Sequence, residues 1–245
     1  MDFEVLEEIK EIIRNAESVV FLGGAGVSTD SGIPDFRGSG GLYTEEDEAI
    51  SPGEILTVRY MKEYPEEFYE YYKNNMVYTW AKPNEAHRVR ARMEEDGKLS
   101  GVVTQNIDGL HQMAGSQNVI ELHGTAKRNY CVDCGKEYSL DYVLESEGVP
   151  YCEECGGLVR PDVVMYNEAL SAHALYEAEE LIYNADVLIV GGTSLQVFPA
   201  AGLVDAYQGD DLIIINRDPT DFDNRARFVI NESISDTLSA IYPND

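Results

Sequence analysis

Positive charge is what this sequence most lacks. Eighteen Lys and Arg face 45 Asp and Glu, a formal net charge of −27 at pH 7, and only seven of the bases are lysine. Such a surface repels phosphate backbones and argues against nucleic acid as a partner. It attracts basic partners, lysine-rich protein tails among them; it equally suits a solvated acidic coat adapted to solubility or high salt. Long apolar runs are also missing. The longest, near Val187–Val190 and Leu212–Ile215, fall far short of the ~20 residues that cross a bilayer. The acidic, amphipathic start MDFEVLEEIKEII has neither the basic lead nor the apolar run of a signal peptide. These gaps lead to the expectation of a cytoplasmic protein with no membrane partner, and leave the oligomeric state open.

Cysteine is scarce and confined to one stretch: Cys131 and Cys134, then Cys152 and Cys155, two C-x2-C pairs with seventeen residues between them. In a chain read as cytosolic, this spacing points to a metal, not a disulfide. A catalytic zinc keeps one coordination position open, whereas four thiolates close the tetrahedron, so a zinc held here is structural. A zinc deaminase would need H-x-E with P-C-x-x-C, but His123 is followed by Gly124 and Thr125.

With 245 residues, 44% of them apolar, the chain can bury one substantial core, or one core and a small satellite. Phe3, Leu6, Ile9, Ile12 and Ile13 recur at helical spacing behind Asp2, a suitable N-cap. Five short apolar runs read as buried strands: Val19–Leu22, Val102–Thr104, Val119–Leu122, Val187–Val190 and Leu212–Ile215. Helical patterns lie around 84–95, 170–183 and 199–207. The alternation predicts an α/β fold, a parallel sheet with helices on both faces. Residues 42–80, with Tyr64, Phe68 and Tyr72 spaced along one helical face, and residues 128–160, with the cysteines, interrupt it. They are expected to form a second, smaller domain, leaving 1–41, 81–127 and 161–245 for the main one. A Gly-rich or polar cluster follows each strand: Gly23–Ser28, Gln105–Asp108, His123-Gly124, Gly191–Ser194 and Asn216–Asp218. In open α/β sheets ligands bind beyond the carboxyl ends of the strands, and polar groups from five strand ends suit a ligand as large as a dinucleotide.

Gly24-Ala25-Gly26-Val27-Ser28 alone reads either as a tight turn or as a loop whose N–H groups approach a pyrophosphate. Thr29 occupies the third glycine position of G-x-G-x-x-G, and no strand with a terminal acid follows about 20 residues on, so an ordinary dehydrogenase is disfavoured. The longer run Gly24-Ala25-Gly26-Val27-Ser28-Thr29-Asp30-Ser31-Gly32-Ile33-Pro34-Asp35-Phe36-Arg37-Gly38 resembles the sirtuin signature. Sirtuin-like blocks follow in order: Thr104-Gln105-Asn106-Ile107-Asp108-Gly109-Leu110-His111, Glu121-Leu122-His123-Gly124, the two cysteine pairs, Arg160-Pro161-Asp162-Val163-Val164, Gly191-Gly192-Thr193-Ser194-Leu195 and Ile215-Asn216. The resemblance runs from about residue 4 to residue 240.

It implies a Rossmann-like doubly wound sheet with a smaller zinc-binding and helical domain. The implied activity is NAD-dependent protein-lysine deacetylation, the acyl group passing from lysine to ADP-ribose with release of nicotinamide. Zinc is the implied structural metal. Position by position, Ala25, Thr29 and Arg37 line the pyrophosphate and nearby ribose, with Gly24 and Gly26 admitting the backbone; an arginine fork suits phosphate oxygens. Ile33, Ile107 and Asp108 surround the nicotinamide, and Phe36 covers the place it leaves. Gln105 and Asn106 bond ribose hydroxyls or an ordered water, and Asn106 joins the catalytic pair with His123. Thr193, Ser194, Asn216 and Arg217 belong at the adenosine end; Asp35 and Gly192 complete the cofactor set. His123 is the base that activates a ribose hydroxyl, apt because an ordinary histidine titrates near working pH. His87 reads as packed or capping in its Pro83-Asn84-Glu85-Ala86-His87 helix start, His111 as supporting its loop, and His173 as exposed.

Relatives that take succinyl or malonyl lysine carry Tyr-x-x-Arg in the helical insertion. The counterpart here, Tyr69-Glu70-Tyr71-Tyr72, has tyrosine in place of that arginine, which disfavours an acyl carboxylate unless neighbouring Lys73 supplies the cation. The acyl-lysine peptide is expected as an added strand between Val163–Glu168 and the loop at Gln196–Val197. Tyr166-Asn167-Glu168 departs from the usual Phe-Gly-Glu there, and asparagine tolerates unusual backbone angles better than most residues. Two other functions remain to be weighed: ADP-ribosyl transfer, and a non-catalytic NAD-sensing or zinc-ribbon module.

Residues 128–160 have too little apolar content to fold without their metal. Chelation is therefore expected to unfold this module and abolish activity; a fully active, metal-free Cys131→Ala variant would contradict the reading.

Overall fold

The computed structural model describes residues 2–35 and 50–244; Phe36 and Arg37, and the first part of the 42–80 segment, lie outside the described residues. The chain runs through α1 (Phe3–Asn15), β1 (Val19–Gly23), α2 (Pro52–Ile55), α3 (Val58–Glu63), α4 (Pro65–Asn75) and α5 (Glu85–Glu95). It continues with β2 (Leu99–Thr104), α6 (Leu110–Ala114), β3 (Val119–Glu121), β4 (Gly124–Cys131), β5 (Glu137–Ser139) and α7 (Leu140–Glu145). The last elements are β6 (Val159–Val163), α8 (Ala172–Tyr183), β7 (Val187–Gly191), β8 (Asp211–Ile215), β9 (Phe228–Ile230) and α9 (Ile234–Ile241).

Six strands form a parallel sheet in the order β3-β2-β1-β7-β8-β9. Alternate residues of each strand point to opposite faces, and the packing follows that period. Val19, Phe21, Val102, Ile189 and Ile213 meet Ile9 and Ile13 of α1, Val89 and Met93 of α5 and Leu238 of α9. Val20, Leu22, Val103, Leu188 and Ile214 meet Ala178 and Ile182 of α8 and Leu203 and Val204 of a following 310 turn. With helices on both faces the central strands are buried throughout, which is why they read as continuous apolar runs. The expected doubly wound α/β class is the one observed. The ends of α1 also follow the sequence: Asp2 Oδ1 accepts from the Glu4 N–H at 2.8 Å.

Some elements differ from expectation. A sixth strand, β9, sits at the sheet edge with only Ile230 buried; Phe228-Val229-Ile230 is apolar throughout but too short a run to stand out as a strand. Leu122, expected in the third strand, lies beyond its end. Residues 200–206 wind as a 310 helix. Tyr64 precedes α4 and stacks on Tyr60 at 5.0 Å, half exposed, while Phe68 and Tyr72 stack at 5.9 Å inside.

The other sheet is small and antiparallel, β5-β4-β6. Leu56, Met61, Phe68, Tyr69 and Tyr72 of the helical segment share one apolar cluster with Tyr138, Val143 and Val159 around the cysteines. The Tyr69 hydroxyl donates to the Val159 carbonyl and ties the two parts together.

The two sheets meet at one point. β3 ends at Glu121 and β4 begins at Gly124, so only Leu122 and His123 separate them. Gly124 turns the chain at φ +72°, and a Cβ there would run into the Asp162 carbonyl on β6. A left-handed L-residue and an overpacked contact each cost on the order of 1–3 kcal/mol. Gly124→Ala is therefore expected to lose about 2–4 kcal/mol of stability, read from denaturant unfolding; a variant as stable as the parent would show that this junction tolerates a side chain.

Candidate active site

Five strand ends of the large sheet open on one rim, laced by backbone bonds. Gln105 N–H donates to Gly23 O at 3.0 Å, Leu122 N–H to Thr104 O at 2.9 Å, Gly26 N–H to Gly192 O at 2.8 Å and Gly192 N–H to Ile215 O at 3.2 Å. The glycines have a reason beyond room for a ligand. A Cβ on Gly24 would come within 2.9 Å of Thr193 Cβ, and one on Gly26 within 2.8 Å of Gly192 Cα. The loops after β1 and β7 touch, and only glycine allows it. Gly24–Ser28 forms a 310 turn over Ala25–Val27; the Gly24 and Gly26 N–H groups donate to the carbonyls of Gly191 and Gly192, and that of Val27 to Gly24 O. Thr29 Oγ1 donates to Gly26 O, and the Ile33 N–H reaches Ser28 O.

Ser28 is the buried hub, 1% exposed. Its hydroxyl donates to Asp108 Oδ2 at 2.7 Å and accepts from Asn106 Nδ2 at 3.1 Å. Asp108 Oδ1 accepts from the Leu110 N–H at 2.8 Å. Burial raises the Asp108 pKa, while the bonds from Leu110 and Ser28 and the charges of Lys127 and Arg90 oppose that rise. Thr104 Oγ1 accepts from the Asn106 N–H, and Gln105 Nε2 donates to Thr193 Oγ1 at 3.1 Å, bridging the exits of β2 and β7.

His123 Nδ1 lies 2.8 Å from the Gln105 carbonyl. A carbonyl can only accept, so the ring proton resides on Nδ1 and Nε2 keeps its lone pair. The ring is half buried. Burial lowers its pKa below the ordinary histidine value of 6.5, against a smaller upward pull from the carbonyl. The result is a neutral imidazole with a basic Nε2.

The residues assigned to the adenosine end gather less tightly. Thr193 is buried and Ser194 half buried at the exit of β7. Asn216 Nδ2 turns onto its own loop, donating to Asp218 O, and the exposed Arg217 lies 3.7 Å from Asp30. Asp35 and Ile33 are half buried, and Ile107 packs against the smaller domain's core. A surface concavity of about 770 Å3 runs along β3 and α8 and includes none of the rim residues; the convergent donors, not cavity size, mark the site.

Beside the rim, Val164 N–H donates to His123 O and Tyr166 N–H to Leu56 O, both at 2.9 Å. Arg160 grips Glu168 with both forks, at 2.9 and 2.8 Å, and Glu168 Oε2 also accepts from the Met165 N–H. The turn they close puts Asn167 at φ +68°, where asparagine is among the few non-glycine residues at ease. Lys73 is committed elsewhere: its ammonium donates to the carbonyls of Ser146 and Gly148 at 2.7 and 2.9 Å.

The four cysteine sulfurs lie within 4.8 Å of one another, with Cys131–Cys155 at 3.4 Å and Cys134–Cys152 at 3.6 Å. Zinc–sulfur bonds of ~2.3 Å imply tetrahedral edges of about 3.8 Å, so the set fits a zinc ion. Each pair is followed by a left-handed glycine, Gly135 or Gly156, whose N–H returns to the first cysteine's carbonyl. His123 lies outside this cluster. His87 is a cap, its Nδ1 accepting from the Asn84 N–H; His111 is buried, and His173 is exposed beside Glu177.

Three residues that organise the site had no distinct role in the sequence reading. Ser28 stood in a Gly-rich run without a signal for where its hydroxyl points. Asn84 was readable as a helix start, but its Nδ2 also donates to Val27 O and Ser31 Oγ. Arg160 was visible only within a motif, not as the clamp on Glu168.

Comparison with known proteins agrees with this geometry. The Sir2 family model matches residues 24–199. A Clostridium perfringens relative called NAD-dependent protein deacetylase is 51% identical, the alignment covering 96% of this chain and 98% of the relative. One of the same description from Clostridium tetani is 51% identical, with 96% of each chain covered. Among solved structures, a Sir2 complex with p53 peptide and NAD+ is 40% identical with a TM-score of 0.85, 96% of each chain being covered. Another, with deacetylated p53 peptide and 3'-O-acetyl ADP ribose, is 39% identical with a TM-score of 0.88 at the same coverage.

The desolvated ring makes a direct forecast. NMR titration is expected to place the His123 midpoint below the ~6.5 of an unperturbed histidine, with the Nδ1–H tautomer at neutral pH; a midpoint above 7 would mean that the ring faces a stabilising anion instead.

Proposed function

The chain belongs to the Sir2 family, and on that premise we propose the chemistry of its rim as follows. The protein is an NAD-dependent protein-lysine deacetylase with a structural zinc. NAD supplies the activated ADP-ribose that receives the acyl group, and nicotinamide is released. The observation that carries the assignment of His123 is its fixed tautomer: Nδ1–H is spent on Gln105 O, which leaves Nε2 free to take a proton from a sugar hydroxyl. A histidine that starts neutral is in the form a base needs.

Asn106 serves with His123 as the catalytic pair, its amide oriented by Ser28. Asp108, held by Ser28 and Leu110, accepts from the nicotinamide carboxamide between Ile33 and Ile107. Gly24, Ala25, Gly26, Thr29 and Asp35 attend the pyrophosphate and its ribose; the resemblance assigns Arg37 to the same place and Phe36 to the reacting centre, both outside the described residues. Gln105, Gly192, Thr193, Ser194, Asn216 and Arg217 attend the sugars and adenosine.

Peptide substrate enters as an extended strand beside Val163–Glu168, with Val197 opposite, and the Arg160–Glu168 clamp supports that edge. The segments 42–80 and 128–160 make the smaller domain that flanks the peptide, and 1–41, 81–127 and 161–245 make the NAD-binding one. Acetyl-lysine is preferred over succinyl-lysine: Tyr72 is apolar-packed and buried, and the Lys73 ammonium already serves two carbonyls. A cytoplasmic setting fits free thiolates at the metal cluster.

The test is NAD+ turnover with acetyl- and succinyl-lysine peptides, followed by mass spectrometry of both products. Nicotinamide release that requires acetyl-lysine, with an acyl group lost from the peptide, is expected. His123→Ala should lose about 100-fold or more of kcat while NAD+ still binds. Protein gaining ADP-ribose, or a His123→Ala variant at full turnover, would overturn the reading.

A further inference from the structure

A second constellation of polar side chains lies under the rim and takes no part in the chemistry above. Arg90 of α5 is 0% exposed and is the largest fully buried side chain among the described residues. Its guanidinium stacks 4.0 Å above the Phe21 ring of β1, and Nε, Nη1 and Nη2 all lack a hydrogen-bond partner. His87, one turn earlier on α5, is also 0% exposed; His111 of α6 is 1% exposed, and the two rings lie 4.9 Å apart. His87 Nε2 and both ring nitrogens of His111 are likewise unpartnered.

The donor inventory is lopsided. His87 Nδ1 lies 3.2 Å from the Asn84 backbone nitrogen and 3.0 Å from Asn84 Oδ1, so its unpartnered Nε2 is a donor in one tautomer and an acceptor in the other. A neutral His111 adds one donor and one acceptor, and a guanidinium adds five donors. Six or seven N–H groups thus share a sealed region with at most two ring-nitrogen acceptors. The nearest candidate counter-ion, Asp108, already receives Ser28 Oγ–H and the Leu110 N–H, and none of Arg90's nitrogens bonds to it. Unpaired buried cations are strongly destabilising, and so are unmet buried donors. Water would need acceptors for its own two protons, which the region hardly offers; a monatomic anion needs donors only and neutralises the charge.

We propose that Arg90, His87 and His111 enclose an internal site for a monatomic anion of the chloride class. Entry is closed to anything large, since all three side chains are sealed from solvent, so the anion is taken up as the fold closes. In a chain of net charge −27, this would be an anion held inside an acidic coat. Burial lowers the Arg90 pKa to about 9 and the His87 pKa to about 2 without such a partner, which fits neutral rings beside the cation.

The experiment compares thermal unfolding in sodium chloride and in sodium gluconate at equal ionic strength, for the full chain and for Arg90→Met, with crystals grown in sodium bromide as the second measurement. Exchange of gluconate for chloride is expected to raise Tm of the parent by about 5 °C more than that of Arg90→Met, and bromide should give an anomalous peak between the guanidinium and the two rings. Equal responses of parent and variant, with no bromide peak, would assign the region to ordered water and overturn the proposal. If Arg90→Met does not fold, the presence or absence of the bromide peak in the parent decides. Neither readout depends on deacetylase activity, so the proposal stands or falls separately from that assignment.

Discussion

The bond from His123 Nδ1–H to the Gln105 carbonyl is where backbone geometry becomes chemistry. Gln105 leaves β2 and His123 leaves β3, two neighbouring parallel strands. The bond thus spans two strand exits and fixes the ring's tautomer in one interaction. It needs the Gln105 carbonyl to point across the rim, and the Gln105 N–H bonded to Gly23 O holds that peptide in place. The side chain of the same residue, tied to Thr193 Oγ1, extends the lacing to β7. The His123 ring is therefore oriented by the register of the sheet, and any change that slips β2 against β1 would misdirect it.

Much of this was legible because parallel sheets write themselves plainly. Strands buried on both faces appear as unbroken Val/Ile/Leu runs, and β1, β2, β7 and β8 were found that way. The two edge strands were less plain: β3 is half buried and shows only Val119-Ile120, and β9 was missed because its apolar run is three residues long. The small sheet was not legible as strands, since β4 carries Lys127, Arg128 and Asn129 and takes its order from cysteine ligands and neighbours, not from alternation. The site followed the same division. His123, Asn106, Asp108 and the four cysteines carried motif signals, whereas Ser28 required knowing where a hydroxyl points once the 310 turn closes. Pairings such as Arg160 with Glu168 depend on a loop conformation that only the folded chain specifies; sequence could say that Asn167 would tolerate unusual angles, but not that φ reaches +68°.

The acidic surface and the buried interior obey different rules. Outside, excess carboxylates remain in water and are screened by salt. Inside, an unmet charge is costly: Arg160 is met by Glu168, and Asp108 by Ser28, a backbone N–H and nearby cations, whereas the Arg90 guanidinium has no side-chain or backbone partner. Tyr72 illustrates the other solution. Its hydroxyl is unpartnered in the apolar cluster, and burial raises its pKa, so it stays neutral and adds no charge to the neighbourhood.

The cysteine cluster and the base look like separate devices, yet one strand joins them. β4 starts at Gly124, directly after His123, and ends at Cys131. β4 pairs with β6 at both ends, Gly124 opposite Val163 and Cys131 opposite Val159, with a register shift between Thr125 and Asn129. Metal ligation and the β5 and β6 ladders hold the far end, and the tight approach of Gly124 to Asp162 fixes the near end. His123 then has little freedom left: its ring is held by Gln105 and its own carbonyl by the Val164 N–H. A zinc held by these cysteines would thus bear on the proposed role of His123 by fixing the far end of the strand that begins beside it.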